Sequence, residues 1–175
     1  MEGFTDDTQR YEIIEGELFI TSMHGLAHQH VVGNVLYKLR MWDRPCRLGR
    51  AIPAPGLVLS GANAVIPDLI WISNDRLATA VNASGHLIAT PELIVEVLSD
   101  LPEDRQKDYK QKLNLYSAEG VLESWIVDES RSAISLHRRK KGTLKEIGIF
   151  SMEDLLTSPL LPGFSCRAAD FFLPI

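Results

Sequence analysis

The sequence predicts an α/β (α+β) fold in which a mixed β-sheet is flanked by helices and preceded by an N-terminal β-hairpin. Two observations predict it. Short runs rich in β-branched residues, such as residues 92–99 (ELIVEVLS), alternate with stretches whose apolar residues recur at every third or fourth position. The order along the chain is hairpin, helix, strands, helix and strands, which favours a sheet covered by helices.

The first elements are a hairpin and a helix. Residues 11–22 (YEIIEGELFITS) hold two β-like pieces around Glu15-Gly16, which predicts the hairpin. From about residue 27 to residue 42, Val31, Val35 and Leu39 recur at helical spacing, which predicts an amphipathic helix. Pro45 lies just beyond its expected end.

The rest of the chain predicts further strands and one long helix. Residues 65–73 (VIPDLIWIS) and 92–99 are expected to be buried strands, and the second is almost wholly apolar, as in a strand covered on both faces. The other expected elements are an interrupted strand at 47–59, a short helix within 74–90, a helix at 102–118, strands at 123–128, 133–137 and 144–150, a basic turn at 138–142 and an apolar tail at 155–175.

Composition sets the class of protein. The chain has 175 residues, 45% hydrophobic and 23% charged, so we expect a single domain over residues 1–175. No apolar run approaches the roughly 20 residues that span a bilayer, so no membrane partner is expected. The two cysteines, Cys46 and Cys166, lie far apart and lack metal-site spacing, which favours a reducing, cytoplasmic location.

Two carboxylates stand in apolar strands. Asp68 follows Pro67 within one predicted strand, and Glu96 lies between Val95 and Val97 in another. A buried carboxylate stays ionised only when a cation or several donors meet it. One shared divalent cation, Mg²⁺ or Mn²⁺, explains both most simply. The alternative is that each acid pairs separately with an arginine or caps a turn.

Lys112 is the third candidate. It lies on the helix that follows Glu96, and a strand-to-helix crossover can bring that helix over the strand ends. A lysine there could orient a water nucleophile or stabilise charge on a phosphoryl transition state. The alternative is that Lys112, like Lys107 and Lys110, is a solvated side chain.

Other polar residues carry weaker signals. His24 and His28 are four apart and could share a side if the helix began early, so a zinc site is conceivable, although no cysteine cluster accompanies them. Glu15 and Glu17 lie at the predicted hairpin and fit solvated turn residues better than an extension of the acidic site. The basic run at 138–141 (RRKK) could contact a phosphate backbone or could be a solvated tip. The net charge of −5 argues mildly against a tight nucleic-acid binder.

Several separated segments resemble the Uma-two family of restriction-endonuclease-like proteins. The matching segments are residues 11–18 (YEIIEGEL), His28 with the helix to Leu39, residues 66–69 (IPDL), residues 91–99 (PELIVEVLS), Asp108 with Lys112 and Tyr116, residues 120–128 and residues 158–164 (SPLLPGF). They agree with the family in order and spacing over nearly the whole chain.

The resemblance implies a restriction-endonuclease-like fold of the PD-(D/E)XK class, in which Asp68 is the aspartate of the PD motif and Glu96 the acid of (D/E)XK. The position two residues after that acid is Leu98, so the lysine role carries over to Lys112 on the next helix. Residues 99–102 (SDLP) depart from the family, which leaves Lys110 as the alternative to Lys112.

The leading hypothesis is therefore a metal-dependent endonuclease acting on a phosphodiester, most simply in DNA, with Asp68 and Glu96 as metal ligands and Lys112 as the third catalytic residue. A homodimer is compatible with cleavage of both strands of a duplex. The rival hypothesis is a nuclease-like scaffold that binds nucleic acid or protein without cutting, which the acidic net charge and the missing in-line lysine favour.

Overall fold

A computed structural model describes residues 9–61, 63–98 and 103–174, and for residues 103–108 it describes the backbone alone. The helices are α1 (Leu26–Cys46), α2 (Asn74–Leu77) and α3 (Glu103–Ala118), and a 3-10 helix covers Ala168–Phe171. The strands are β1 (Gln9–Ile14), β2 (Glu17–Ser22), β3 (Gly49–Pro53), β4 (Leu57–Val58), β5 (Ala64–Val65), β6 (Leu69–Ser73), β7 (Leu93–Leu98), β8 (Glu123–Asp128), β9 (Ala133–Lys140), β10 (Thr143–Ser151), β11 (Leu155–Thr157) and β12 (Ser165–Arg167).

The larger sheet has six strands in the order β10-β9-β8-β7-β6-β3. Neighbouring strands are antiparallel except β7 and β8, which run parallel. A parallel pair needs a crossover connection, and α3 supplies it. This connection places α3 beside the end of β7, where Glu96 lies.

A smaller sheet has the order β2-β1-β5-β4, so the predicted N-terminal hairpin forms its first half. Side chains alternate between the two faces of a strand, and the inward face of β1 carries the buried Glu12 and Ile14. The outward face is apolar and exposed. Its cross-strand partners form a row through Leu18, Ile13, Ala64 and Val58.

Two apolar cores form on opposite faces of the larger sheet, because successive strand residues point to opposite sides. The first core joins alternate strand residues, among them Trp71 and Trp125, to α1 and to the C-terminal segment. The second core joins the intervening strand residues to α3 and to the inward face of the smaller sheet, and it includes Tyr116. No helix in the described ranges is long and apolar enough to cross a membrane.

Helix α1 differs from its prediction at its C-terminal end. The helix continues through Pro45 to Cys46, whereas the sequence predicted an end before the proline. Proline removes one donor from the last turn but does not stop it there. The end is set by Arg47, which is left-handed and donates its N–H to the Asp43 carbonyl at 2.6 Å.

Prolines also divide the predicted strands. The run 65–73 is split between β5 and β6, which belong to different sheets, because Pro67 lies where the chain passes from one to the other. Asp68 therefore precedes β6 instead of lying within a strand, which corrects the prediction. The run 47–59 is likewise split into β3 and β4.

The basic run at 138–141 is less exposed than the turn that the sequence predicted there. Arg138 to Lys140 extend β9, and the turn consists of Lys141 and Gly142. Arg138 pairs with the buried Glu123 at 2.8 Å. The Arg139 guanidinium donates to the carbonyls of Ser117, Val121 and Gly142. Both arginines therefore support the fold, and only the two lysines remain exposed at the tip.

Candidate active site

Asp68 is a buried carboxylate held by the ends of two strands. The segment before β6 presents its side chain to β7, where the Val97 N–H donates to Oδ2 at 2.9 Å. Its other oxygen, Oδ1, lies 3.1 Å from Nη1 of Arg10 and 3.3 Å from Nε2 of His28. Burial raises the pKa of Asp68, but the contacts from His28, Arg10 and the Val97 amide outweigh burial and hold that pKa well below its usual range.

Glu96 lies inside β7 and faces α3. The Tyr116 hydroxyl donates to its Oε1 at 2.5 Å, and Nζ of Lys112 lies 3.5 Å from the same oxygen. Burial is the largest influence on Glu96 and raises its pKa, and the lysine only partly offsets this. A carboxylate that is costly to ionise in the metal-free protein would gain from an added cation.

Lys112 and not Lys110 faces this site. Lys112 is largely buried, with its Nζ between Glu96 and Glu12, 2.8 Å from the Glu12 carboxylate. Lys110, on the same helix, is exposed. Burial lowers the pKa of Lys112, but the two carboxylates outweigh burial and raise it. Lys112 is therefore a cation at neutral pH, so it can donate but cannot act as a base.

Arg10 and Glu12 belong to the site, although the sequence reasoning missed both. They lie two apart on β1, so they share its inward face. Glu12 is buried and accepts from the Ile66 N–H at 2.7 Å in addition to pairing with Lys112. Alternation groups residues 10, 12 and 14 on one face of the predicted strand, but only the burial of Ile14 in the structure shows that this face points inward.

His24 and His28 come together as their spacing allowed. Helix α1 begins at Leu26, so His24 precedes it and His28 lies in its first turns. The rings stack with centroids 3.8 Å apart and planes 8° apart. His24 Nε2 lies 3.7 Å from Asp68 Oδ1 and 2.7 Å from Nη1 of Arg10. Burial lowers the pKa of His24 to about 4, so its ring is neutral at pH 7.

These groups line one cleft at the meeting of β1, β7 and α3. Its charged wall consists of Arg10, Glu12, Asp68, Glu96 and Lys112, with His24 beside them. Three carboxylates thus face two side-chain cations. A cleft with an excess of carboxylate can accept a divalent cation, and its cationic side chains can meet phosphate.

The three predicted residues, Asp68, Glu96 and Lys112, all line this cleft. Glu15 lies in the hairpin turn and Glu17 is the first residue of β2, and both are exposed. The side chain of Asp108 and the segment 99–102, both used in the resemblance, lie outside the described residues.

The family follows from the whole sequence. The Uma2 (Uma-two) family, described as "Putative restriction endonuclease", matches residues 1–169. The chain belongs to the Uma2 family. No curated protein matches this Uma2 chain. The resemblance noted from the sequence is thereby confirmed.

A solved structure bears on the fold of this Uma2 protein. A protein from Anabaena variabilis, described as "a putative nuclease belonging to DUF820", matches with a TM-score of 0.75 at 18% identity, over 93% of this chain and 89% of that chain. At that identity the likeness shows the fold alone. The predicted nuclease-like mixed sheet with an N-terminal hairpin is confirmed.

Proposed function

We propose that this protein is a divalent-metal-dependent endonuclease that hydrolyses phosphodiester bonds, in DNA. The observation that carries the proposal is the convergence of Asp68, Glu96 and Lys112 in one cleft, although they come from three separate elements. Membership of the Uma2 family, described as "Putative restriction endonuclease", supports it.

The side chains fit a metal ion. Asp68 and Glu96 supply the carboxylate oxygens that Mg²⁺ and Mn²⁺ prefer. His28 is buried beside Asp68, and its two ring nitrogens have no hydrogen-bond partner among the described residues. A bound cation would lower the pKa of a water molecule and offset charge on the scissile phosphate.

The remaining groups would act on the substrate. Lys112 is cationic and would donate either to the attacking water or to a phosphate oxygen. Glu12 holds Lys112 in place through its 2.8 Å contact, so we assign Glu12 as a positioning residue. Tyr116 fixes the orientation of Glu96 in the same way.

A cleavage assay tests this proposal. Purified protein is incubated with supercoiled plasmid and Mg²⁺ or Mn²⁺, with EDTA as the metal-free control. Asp68→Asn, Glu96→Gln and Lys112→Met should each lower the cleavage rate about a hundredfold or more, since each removes a group that acts on the transition state. Lys110→Met is the matched control, because Lys110 is exposed on the same helix, and it should cleave like the native protein.

Cleavage that persists in folded Glu96→Gln protein would overturn the assignment of the site. Circular dichroism on each variant separates lost catalysis from lost folding. Because the site lies on one chain, nicking of one strand is the minimum activity expected, and cutting of both strands without a nicked intermediate would support a homodimer.

A second candidate function is a scaffold that binds nucleic acid without cutting. Arg10 favours it, because its guanidinium already bridges Asp68 and His24 and so meets the carboxylate without a metal. The two functions differ in metal binding and in cleavage. DNA binding by a protein that neither cuts nor binds Mn²⁺ would support the scaffold.

A further inference from the structure

His24 lines the cleft and His28 is buried beside Asp68, and the proposed hydrolysis assigns neither of them as a metal ligand. Each offers one ring nitrogen to the same side of Asp68, and one atom from each of the three residues can be chosen so that all lie within 4.8 Å of one another. Among the described residues, this is the group of His, Cys, Asp and Glu side chains that converges closely enough to hold a metal ion.

The second observation is the unsatisfied state of His28. Its side chain is 1% exposed, and neither Nδ1 nor Nε2 has a hydrogen-bond partner among the described residues. Nε2 is 3.3 Å from Asp68 Oδ1, but the angles are not those of a hydrogen bond. A buried polar atom without a hydrogen-bond partner is costly. A ligand that accepts the nitrogen lone pair would recover this cost.

The third observation is that the Arg10 guanidinium already lies beside these candidate ligands. Nη1 of Arg10 lies 2.7 Å from His24 Nε2 and 3.1 Å from Asp68 Oδ1. Its Nε and Nη2 atoms are buried without partners, so the guanidinium is only partly satisfied there. A metal ion held by the same atoms must therefore displace this guanidinium and turn the two stacked rings so that their nitrogens converge.

We infer that His24, His28 and Asp68 form a metal site for a first-row transition-metal dication, which displaces the Arg10 guanidinium. This inference rests on the proposed function, because it names ligands of the metal that the hydrolysis requires. Imidazole suits transition metals such as Fe²⁺, Ni²⁺ and Zn²⁺, whereas Mg²⁺ takes oxygen ligands. We therefore expect this site to bind a transition-metal ion more tightly than Mg²⁺.

The displaced Arg10 then gains a function. Once it leaves Asp68, its guanidinium remains at the cleft and can pair with a phosphate oxygen, for which its fork of donors is suited. The metal ion would occupy the position that the guanidinium leaves, and the substrate phosphate would pair with the displaced guanidinium. The metal and the substrate would therefore bind together.

Mn²⁺ is the probe for this site. Binding to the full chain is measured by calorimetry, and the electron spin echo of the bound ion is examined for modulation by nitrogen. We expect nitrogen modulation in the native protein, and at least about a tenfold weaker affinity for Mg²⁺. His24→Ala and His28→Gln should each weaken Mn²⁺ binding about tenfold or more. His24 is the safer variant, because it is partly exposed and precedes the helix.

Two further variants complete the test. His86→Ala is the matched control, because His86 is exposed and remote from the three ligands in the sequence, and it should bind like the native chain. Arg10→Ala removes the competing cation and should bind Mn²⁺ at least about tenfold more tightly. Binding confined to Arg10→Ala would overturn the inference for the native chain and assign the position to the guanidinium.

Failure of the inference and failure of the proposed function are distinguishable. Plasmid cleavage without nitrogen modulation, and with unchanged affinity in His24→Ala, would overturn the histidine site and leave the nuclease intact. Nitrogen modulation without any cleavage would support the site and overturn the hydrolysis. Absence of bound Mn²⁺ from the native chain would overturn the inference.

Discussion

At the scale of single residues, the site consists of charges that the sequence places far apart. Asp68, Glu96 and Lys112 could be predicted because a carboxylate in an apolar strand, or a lysine on the helix after it, is unusual enough to stand out. Arg10 and Glu12 could not, since charged residues near a terminus and a hairpin are ordinary. Their burial depends on which face of β1 turns inward.

The contact between Tyr116 and Glu96 yields a prediction. Tyr116→Phe removes the hydroxyl that donates to Glu96 at 2.5 Å and leaves a buried carboxylate oxygen without that donor. We expect the free energy of unfolding to fall by about 1–3 kcal/mol, as measured by urea denaturation. Tyr37→Phe is the matched control because Tyr37 is 60% exposed, and its unfolding should be unchanged. Equal stability of Tyr116→Phe and the native chain would contradict the role given to this hydroxyl.

At the scale of elements, the hairpin shows why a pattern can be ambiguous. β1 has apolar residues on both faces, with Tyr11 and Ile13 outward and Ile14 inward. Alternation therefore predicts a strand but does not choose its buried face. The choice is made by tertiary packing of Ile14 into the second core, which in turn directs Glu12 toward Lys112.

The boundaries of helices and strands near prolines were likewise decided by the fold. Pro45 was expected to lie beyond the end of α1, and Pro67 was expected to lie inside a strand. Instead, Pro45 lies within α1 and Pro67 lies between two sheets. Local rules state what a proline forbids, and the fold decides where the chain goes next.

Replacing glycine by alanine should change the free energy of unfolding in opposite directions at two positions, one in α1 and one in β3. Gly33 is exposed within α1, and a Cβ there would meet nothing within 4 Å. Gly33→Ala should raise the free energy of unfolding by about 0.5–1 kcal/mol, because alanine favours the helix. A Cβ on Gly49 would clash with the Ile72 carbonyl and lie 2.6 Å from the Trp71 ring. Gly49→Ala should lower the free energy by about 1–3 kcal/mol.

Thermal or urea unfolding followed by circular dichroism measures both changes. A stabilising Gly49→Ala would show that β3 and β6 are not packed as described, while a destabilising Gly33→Ala would show that this part of α1 is not helical in solution.

At the scale of the whole molecule, the two cysteines differ in burial, so their reactivity tests the packing of the first core. Cys46 is exposed, while Cys166 lies in the first core, where burial raises its pKa to about 12. At pH 8 the Cys166 thiol is therefore un-ionised as well as shielded, and only a thiolate reacts. We expect one thiol to react with a disulfide reagent in the native protein and two in denaturant.

Loss of fast labelling in Cys46→Ala identifies the reactive thiol. Rapid reaction of two thiols in the native chain at pH 8 would contradict the burial of Cys166.

Metal binding should also stabilise the molecule as a whole. A ligand that binds only the folded chain at a hundred times its dissociation constant adds about 2.7 kcal/mol to the free energy of unfolding. We expect this gain from Mn²⁺ in the native protein, its reversal by EDTA and its absence in Asp68→Asn. A gain of equal size in Asp68→Asn would place the bound ion elsewhere.

The separation of the two cores has a spectroscopic consequence. All three tryptophans, Trp42, Trp71 and Trp125, belong to the first core or pack against it, and the second core has none. Selectively excited tryptophan fluorescence therefore reports on the α1 face of the molecule and not on the hairpin that carries Arg10 and Glu12. If the smaller sheet loosened, the cleft would lose the wall formed by β1, but the tryptophan emission would stay unchanged. The protein would then look folded by this fluorescence and yet lack its candidate active site.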